Sequence, residues 1–258
     1  MDIRLFQYNQ FPYLEVRRPF ILGTRRRQWL PTASHYFFKI LDDKQLLNRL
    51  YTQNIDGLDY HTGIDQTKIV SVHGSIETIE CEFCKTPYDG DLFHKEVKEK
   101  IRNIYDIYDL EAPAESQNIY CPKCRKAAIK PATVLYGTNL PQRFFQSKND
   151  DFPNNCDLLI IAGSSLTVHP ACDLVTQVNI TTPRILINRE VVGTELGISS
   201  DTGRDHLIIS DCDDGFIELA RQLGWLPELY QYANDMCDNS KDKVTKAYED
   251  YIKLSSSL

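Results

Sequence analysis

No apolar stretch in this 258-residue chain approaches the ~18 residues that a membrane-spanning helix needs. The longest, LLIIA at 158–162, has the length of a buried strand. The opening MDIRLF lacks the apolar core of a secretory signal, so export is not expected. Basic charge is also short: 29 Lys and Arg against 36 Asp and Glu give a net charge of -7, which argues against a domain-wide nucleic-acid footprint. Internal repeats and long low-complexity segments are absent. A disulfide framework is not expected either. Of eight cysteines, four fall into two CxxC pairs, while Cys156, Cys172, Cys212 and Cys237 are scattered. That usage fits a reducing compartment and a metal site. With neither membrane nor direct nucleic-acid partner expected, the nucleus or cytoplasm is the expected residence.

What is present suffices for one larger domain, or for one carrying a smaller insert. Residues 31–50 predict a helix, started by Pro31 and Thr32 and striped by Tyr36, Phe37, Ile40 and Leu41. Two short apolar stretches follow at 47–51 and 69–72, and a helix is expected at 96–110. Beyond Thr133 the rhythm is clearer. CDLLIIAG (156–163) is a continuous apolar run of the kind buried on both faces of a parallel sheet, and PRILIN (183–188) and HLIISDC (206–212) are two more. Residues 171–178 and 214–225 read as helices, the second amphipathic. Strands alternating with helices indicate βαβ units. A last, exposed helix is expected over 227–258. Five candidate strands end in small or polar clusters: TQNID (52–56), HG (73–74), GSS (163–165), NRE (188–190) and DCDD (211–214). Ligands of open α/β sheets bind outside the carboxyl ends of the strands, so five such ends predict a shared crevice.

Cys81 and Cys84, with Cys121 and Cys124, can close a tetrahedron around one Zn²⁺ and leave no position for water. Such a site is structural, its metal stabilising a segment with few core residues of its own. The 36 residues between the pairs exceed a minimal ribbon, which leaves room for the helix inside. Gly163, Ser164 and Ser165 stand between a buried strand and a helix, where amides and hydroxyls can hold a phosphate or ribose. Serines also cap helices with no ligand present. Asn188 and Glu190 could bond a ribose, and Cys212 could lie against an adenine; each alone is more often structural.

Read in order, TQNID (52–56), VHGS (72–75), the CxxC pairs, GSSLTVHP (163–170), TPRILINRE (182–190) and DCDDG (211–215) resemble the sirtuin series. PTASHYFFKIL (31–41) and TVLYGTNLPQRFF (133–145) extend the likeness, and CDDGFIELARQLGW (212–225) is similar to the class of the yeast silencing proteins and their cytoplasmic relatives. The resemblance runs from about residue 5 to 225. It implies an α/β fold: a Rossmann-like parallel sheet over 1–76 and 134–226, an inserted zinc ribbon at 77–133, and a helical tail at 227–258. It implies NAD-dependent deacylation of protein lysines, in which the acyl oxygen attacks the nicotinamide ribose, nicotinamide leaves and the acyl group ends on ADP-ribose. His73, as general base, and Asn54 would be catalytic. Gln53, Asn54, Ile55 and Asp56 would surround the nicotinamide and ribose, and Gly163, Ser164, Ser165, Asn188, Arg189, Glu190 and Cys212 the adenosine half. Backbone groups of Val134, Leu135, Tyr136 and Gly137 would take the acyl-lysine strand by β-addition. Histone tails or other basic proteins would suit the acidic chain.

The sequence departs from the family at one end. Sirtuins open with a strand and a loop reading approximately GAGIS, then a segment reading approximately GIPDFR, and neither occurs in these 258 residues. The first family-like stretch is LFQYNQFPYLEV (5–16). In the family that loop gives amides to the NAD phosphates. At roughly 1.5–3 kcal/mol per charged hydrogen bond, its loss is expected to cost orders of magnitude in NAD affinity and to weaken or abolish turnover. It also takes a strand from the sheet. A gene model begun too far downstream is one explanation, a truncated silent form the other. The alternative function is therefore a catalytically silent peptide- and zinc-binding module. A zinc-ribbon nucleic-acid binder fits poorly, because charges across 77–133 are roughly balanced. Tyr136 and Thr138 stand where Phe and Glu are common, which leaves acyl-chain preference open.

Overall fold

The computed structural model describes residues 1–106 and 108–255. Two helices, α1 (Ile3–Tyr8) and α2 (Phe11–Arg25), precede the first helix that periodicity predicts. The buried face of α2 mixes Tyr13, Leu14 and Ile21 with Glu15 and Arg18, so no apolar stripe announces it. α3 (Ala33–Asp43) begins where expected, with Thr32 and the His35 ring capping each other. It ends earlier than residue 50 because Gln45 turns left-handed (φ 57°) and the amides of Leu46 and Leu47 both close onto the Leu41 carbonyl. β1 (Leu50–Thr52) and β2 (Ile69–Ser71), with the short α4 (Leu58–His61) between them, pair with each other. Bonds from Leu50 N–H to Lys68 O and from Val72 N–H to Thr52 O advance together along both segments, as in a parallel pair.

β3 (Gly74–Cys81) pairs antiparallel with β4 (Ile129–Thr133). Between them lies α5 (Gly90–Lys100), displaced from the predicted 96–110. The Asp89 carboxylate accepts from Leu92 N–H and starts the helix at Gly90, and Phe93 and Val97 bury one face. Further on, Asn103 Oδ1 accepts from the amides of Tyr105 and Asp106, a local turn that competes with helix. Ile107, in the predicted span, lies outside the described residues. α6 (Gln142–Asp151) leads into β5 (Leu159–Ala162), β6 (Arg184–Asn188) and β7 (Asp205–Ile209), a parallel sheet in that order. Residues 171–178 hold only a 3₁₀ turn, Cys172–Thr176, in place of the expected helix. α7 (Cys212–Gln222) follows β7 two residues ahead of its predicted start. The expected single helix over 227–258 is two, α8 (Leu226–Gln231) and α9 (Asp238–Ser255), and it is not merely exposed: Leu226, Leu229 and Val244 are fully buried. The last three residues of that span, 256–258, lie outside the described residues.

The chain divides into two compact units. One comprises Met1–Trp29, Thr52–Gly57 and Ser71–Gln142. In it Phe6, Leu14 and Ile21 of the first two helices share a core with Phe93, Val97, Ile119 and Ile129, and with the cysteines Cys81 and Cys121. Contacts thus group residues 1–29 with the cysteine-bearing segment, whereas the sequence reading groups them with the sheet. Polar groups enter this core in pairs. The Tyr13 hydroxyl lies 2.7 Å from Thr133 Oγ1, and Lys130 Nζ, fully buried, sits 3.0 Å from Glu82 and donates to the carbonyls of Pro131 and Thr133 at 2.8 and 2.6 Å.

The other unit holds Leu30–Tyr51, Leu58–Val70 and the described residues of Arg143–Leu258. Adjacent residues of β6 point to opposite faces of its sheet. Ile187 joins Phe37, Phe216, Leu226 and Val244 on one side, and Leu186 joins Ile161, Cys172, Val175 and Ile198 on the other. Gly215 lets α7 close on the sheet, since a Cβ there would stand 2.4 Å from Ile187 Cγ2. The starts of β6 and β7 are clasped by buried Arg184, which donates to both oxygens of buried Asp205 at 2.6 Å. The β1–β2 pair and the β5–β6–β7 sheet are separate ladders, and β5 is an edge of the second. The architecture is the expected α/β one, with parallel strands.

Candidate functional site

The two cysteine loops are built alike. Lys85 and Arg125, each just after a CxxC pair, take left-handed φ values of 52° and 61°. Their amides donate to Cys81 O and Cys121 O, both at 2.9 Å, while Cys81 N–H bonds Thr86 O and Cys121 N–H bonds Lys126 O. Each loop therefore folds its two sulfurs to one side. All four Sγ atoms lie within 4.8 Å of one another, and Cys81–Cys124 and Cys84–Cys121 are each 3.6 Å apart. A tetrahedron with metal–sulfur bonds of ~2.3 Å has edges of about 3.8 Å, so the four thiolates fit one Zn²⁺. The Thr86 hydroxyl and amide hold the Cys84 thiol down to about 6, whereas burial pushes Cys81 up to about 12.

In the same unit, the predicted residues at 52–56 and 72–75 are joined by backbone bonds. Thr52 O accepts from Val72 N–H, Ile55 O from Ile76 N–H, and Thr52 Oγ1 from Asn54 N–H. The His73 ring turns back to Gln53, with Nδ1 3.1 Å from its carbonyl oxygen. A carbonyl only accepts, so Nδ1 is the donor of this bond and Nε2 is the ring nitrogen left for another partner. Gln53, Ile55, Asp56 and His73 are partly exposed and Asn54 is exposed. The turn after His73 requires glycine: Gly74 has φ 77°, and a Cβ there would stand 1.9 Å from Ala132 O.

His73 O in turn accepts from Val134 N–H at 2.8 Å, which ties the expected substrate segment to the same network. Within that segment Leu135 is buried, and its carbonyl accepts from Thr138. Tyr136 is spoken for: its N–H donates to Met1 O at 3.0 Å and its carbonyl accepts from Ile3 N–H at 2.9 Å. The chain's own first residues therefore run along one edge of residues 134–137.

The other unit gathers three predicted strand ends. Gly163, left-handed at φ 59°, would bring a Cβ within 3.1 Å of Cys212 Sγ, and its N–H donates to Ile187 O. Cys212 Sγ is 3.8 Å from the same carbonyl, and burial raises its thiol. Asn188 O accepts from Ser210 N–H, and Asn188 Nδ2 donates to Glu190 O. Ser164 Oγ accepts from Leu166 N–H, and Ser165 Oγ lies 2.8 Å from Thr167 Oγ1, so part of their capacity is spent on the turn itself. Arg189 pairs with Asp211 at 2.5 Å, and the Glu190 side chain is exposed. The five strand ends thus fall on two ladders, two ends on the first and three on the second.

Sequence reasoning passed over one cluster. His169, Cys172 and Asp173 bring Nδ1, Sγ and a carboxylate oxygen within 4.8 Å of one another. The i, i+3, i+4 spacing of three ligating types was visible in HPACD, but His169 reads there as part of a longer motif. The sequence matches the Sir2 family over residues 6–170. It is 36% identical over 243 residues to the NAD-dependent protein deacetylase sirtuin-2 of Danio rerio, covering 88% of this chain and 58% of that protein. It is 36% identical over 235 residues to the NAD-dependent deacetylase sir2A of Dictyostelium discoideum (89% and 42%). Against the NAD-dependent protein deacetylase hst2 of Schizosaccharomyces pombe it is 32% identical over 247 residues (95% and 65%). The chain thus spans less than two thirds of the length of each of these relatives.

Proposed function

Because this chain belongs to the Sir2 family, we propose that it is built for NAD-dependent deacylation of protein lysines, and that its 258 residues alone perform it poorly or not at all. The observation that carries the first half is the His73–Gln53 bond. With Nδ1 donating to a backbone carbonyl, the ring is oriented to offer Nε2 as the base that takes a proton from a ribose hydroxyl. NAD, when bound, supplies a ribose carbon made electrophilic by its nicotinamide leaving group. Gln53, Asn54, Ile55 and Asp56 orient that end, with Asn54 the exposed side chain of the set. Gly163, Ser164, Ser165, Asn188, Arg189, Glu190 and Cys212 hold the adenosine end. The glycine at 163 allows close approach, and Cys212 beside it gives a soft apolar wall.

The acyl-lysine strand adds to residues 134–137. Since Val134 and Tyr136 are already bonded on one edge and Thr138 already donates to the Leu135 carbonyl, the strand takes the other edge through Leu135 N–H and Gly137. Basic segments such as histone tails suit a chain of net charge -7 in the nucleus or cytoplasm. The zinc held by Cys81, Cys84, Cys121 and Cys124 keeps the ribbon folded and takes no chemical part. The second half of the proposal rests on no GAGIS-like loop being found in these 258 residues. It favours, as a second reading, a silent module that binds peptide and zinc.

The test is nicotinamide release from NAD by the zinc-loaded chain with an acetyl-lysine peptide, beside His73→Ala. Slow, peptide-dependent release that disappears in His73→Ala supports the deacylase reading. Peptide binding with no release leaves the silent module. Release that persists unchanged in His73→Ala removes His73 from the chemistry.

A further inference from the structure

We propose that His169, Cys172 and Asp173 form a second metal site, open on one side, for a divalent transition ion of the Zn²⁺ type. The three residues straddle the start of the 3₁₀ turn Cys172–Thr176, on the chain that leaves β5. His169 Nδ1 lies 2.9 Å from Asp173 Oδ1 and 3.4 Å from Cys172 Sγ, and the sulfur lies 3.8 Å from the same carboxylate oxygen. Tetrahedral Zn²⁺ with bonds of ~2.05 Å to nitrogen, ~2.3 Å to sulfur and ~2.1 Å to oxygen puts its ligand atoms about 3.4–3.6 Å apart. Two of the three separations need move only a few tenths of an ångström. The third must open by roughly half an ångström as the His–Asp hydrogen bond gives way to two metal bonds.

Burial divides the labour among the donors. Cys172 is 1% exposed and packed against Ile161, Leu166, Val175 and Leu186, so the sulfur is a fixed point in the wall of the unit. The side chains of His169 and Asp173 are 68% and 39% exposed, so an ion can reach them and its fourth position faces water. A thiolate with an imidazole selects borderline and soft ions over Mg²⁺ and Ca²⁺. On uptake the thiol proton passes to solvent, Nδ1 gives up the proton it donates to Asp173, and the imidazole that binds the ion is the neutral form protonated on Nε2. The site differs from the ribbon in unit, in donor set and in having an open position. An ion there would pin the loop carrying Gly163, Ser164 and Ser165 to the turn that follows it.

The test titrates Co²⁺ into the full chain whose ribbon already holds one Zn²⁺, reading the sulfur-to-cobalt charge-transfer band, with total metal per chain from elemental analysis. The expected result is one further equivalent bound in the wild type and none in His169→Ala or Asp173→Asn, two changes at exposed side chains that leave the fold intact by circular dichroism. A total that stays at one metal per chain overturns the proposal and leaves the triad an ordinary ion pair beside a core cysteine. So does a second equivalent that persists in both variants, because the ion then lies elsewhere.

Discussion

At the scale of single residues, the positions that matter most are those where type and place disagree. Asp205 is a carboxylate with 1% of its side chain exposed. Burial alone would raise its pKa, but the two Arg184 bonds and the Ser199 amide outweigh burial and hold it at about 2. A depressed folded-state value contributes stability that is complete above the ordinary carboxylate range and lost as pH falls from about 4 toward 2, worth ~2 kcal/mol. The melting temperature of the sheet unit should fall across that window, and Asp205→Asn should be less stable at neutral pH with much of the acid dependence gone. Gly74 is the second such position. Gly74→Ala would add a left-handed alanine and a clash with Ala132 O, and is expected at or beyond the upper end of the ~0.5–3 kcal/mol range for single substitutions. Denaturant unfolding of the ribbon unit measures it, and a loss under 1 kcal/mol would contradict the close approach. The four cysteines were legible because their spacing marks them, whereas His73 and the strand-end residues were singled out by their places at strand ends and by the sirtuin resemblance. The Lys130–Glu82 pair was not: its partners are 48 positions apart, and nothing in IKPAT distinguishes a buried lysine from a solvated one.

Elements were legible where one face is apolar and obscured where polar groups share the buried face. The strands at 159–162, 184–188 and 205–209 follow from runs of Ile and Leu. α2 stayed hidden because Glu15 and Arg18 lie on its inner side, paired with Arg102 and Asp109. The cysteine loops carry no apolar pattern, yet two of their ligands are members of the core that α2 and α5 complete. Metal removal should therefore loosen the helices along with the loops. Trp29 packs on Phe20, with ring centroids 5.3 Å apart, in that unit, and Trp225 stands in the other. In a Trp225→Phe background a strong chelator should red-shift Trp29 emission and reduce helical circular dichroism. Unchanged emission after zinc loss would show that the helices stand without the ion.

For the molecule as a whole, two cores with separate membership predict two unfolding events. Urea titration followed through Trp29 alone and Trp225 alone should give different midpoints, and zinc removal should move only the first. Coincident midpoints under both conditions would mean that the units melt as one. The alternation of parallel strands with helices was readable from order and length of segments, and the Rossmann-like assignment from the sirtuin resemblance, whereas the grouping of residues 1–29 with the ribbon depends on contacts that no local pattern encodes. The bond from Tyr136 N–H to the carbonyl of Met1 also has a practical side. A fluorophore carried at position 1 would stand beside residues 134–137, a reporter position installed by the fold itself, whose brightness would register the arrival of a peptide whether or not any reaction follows.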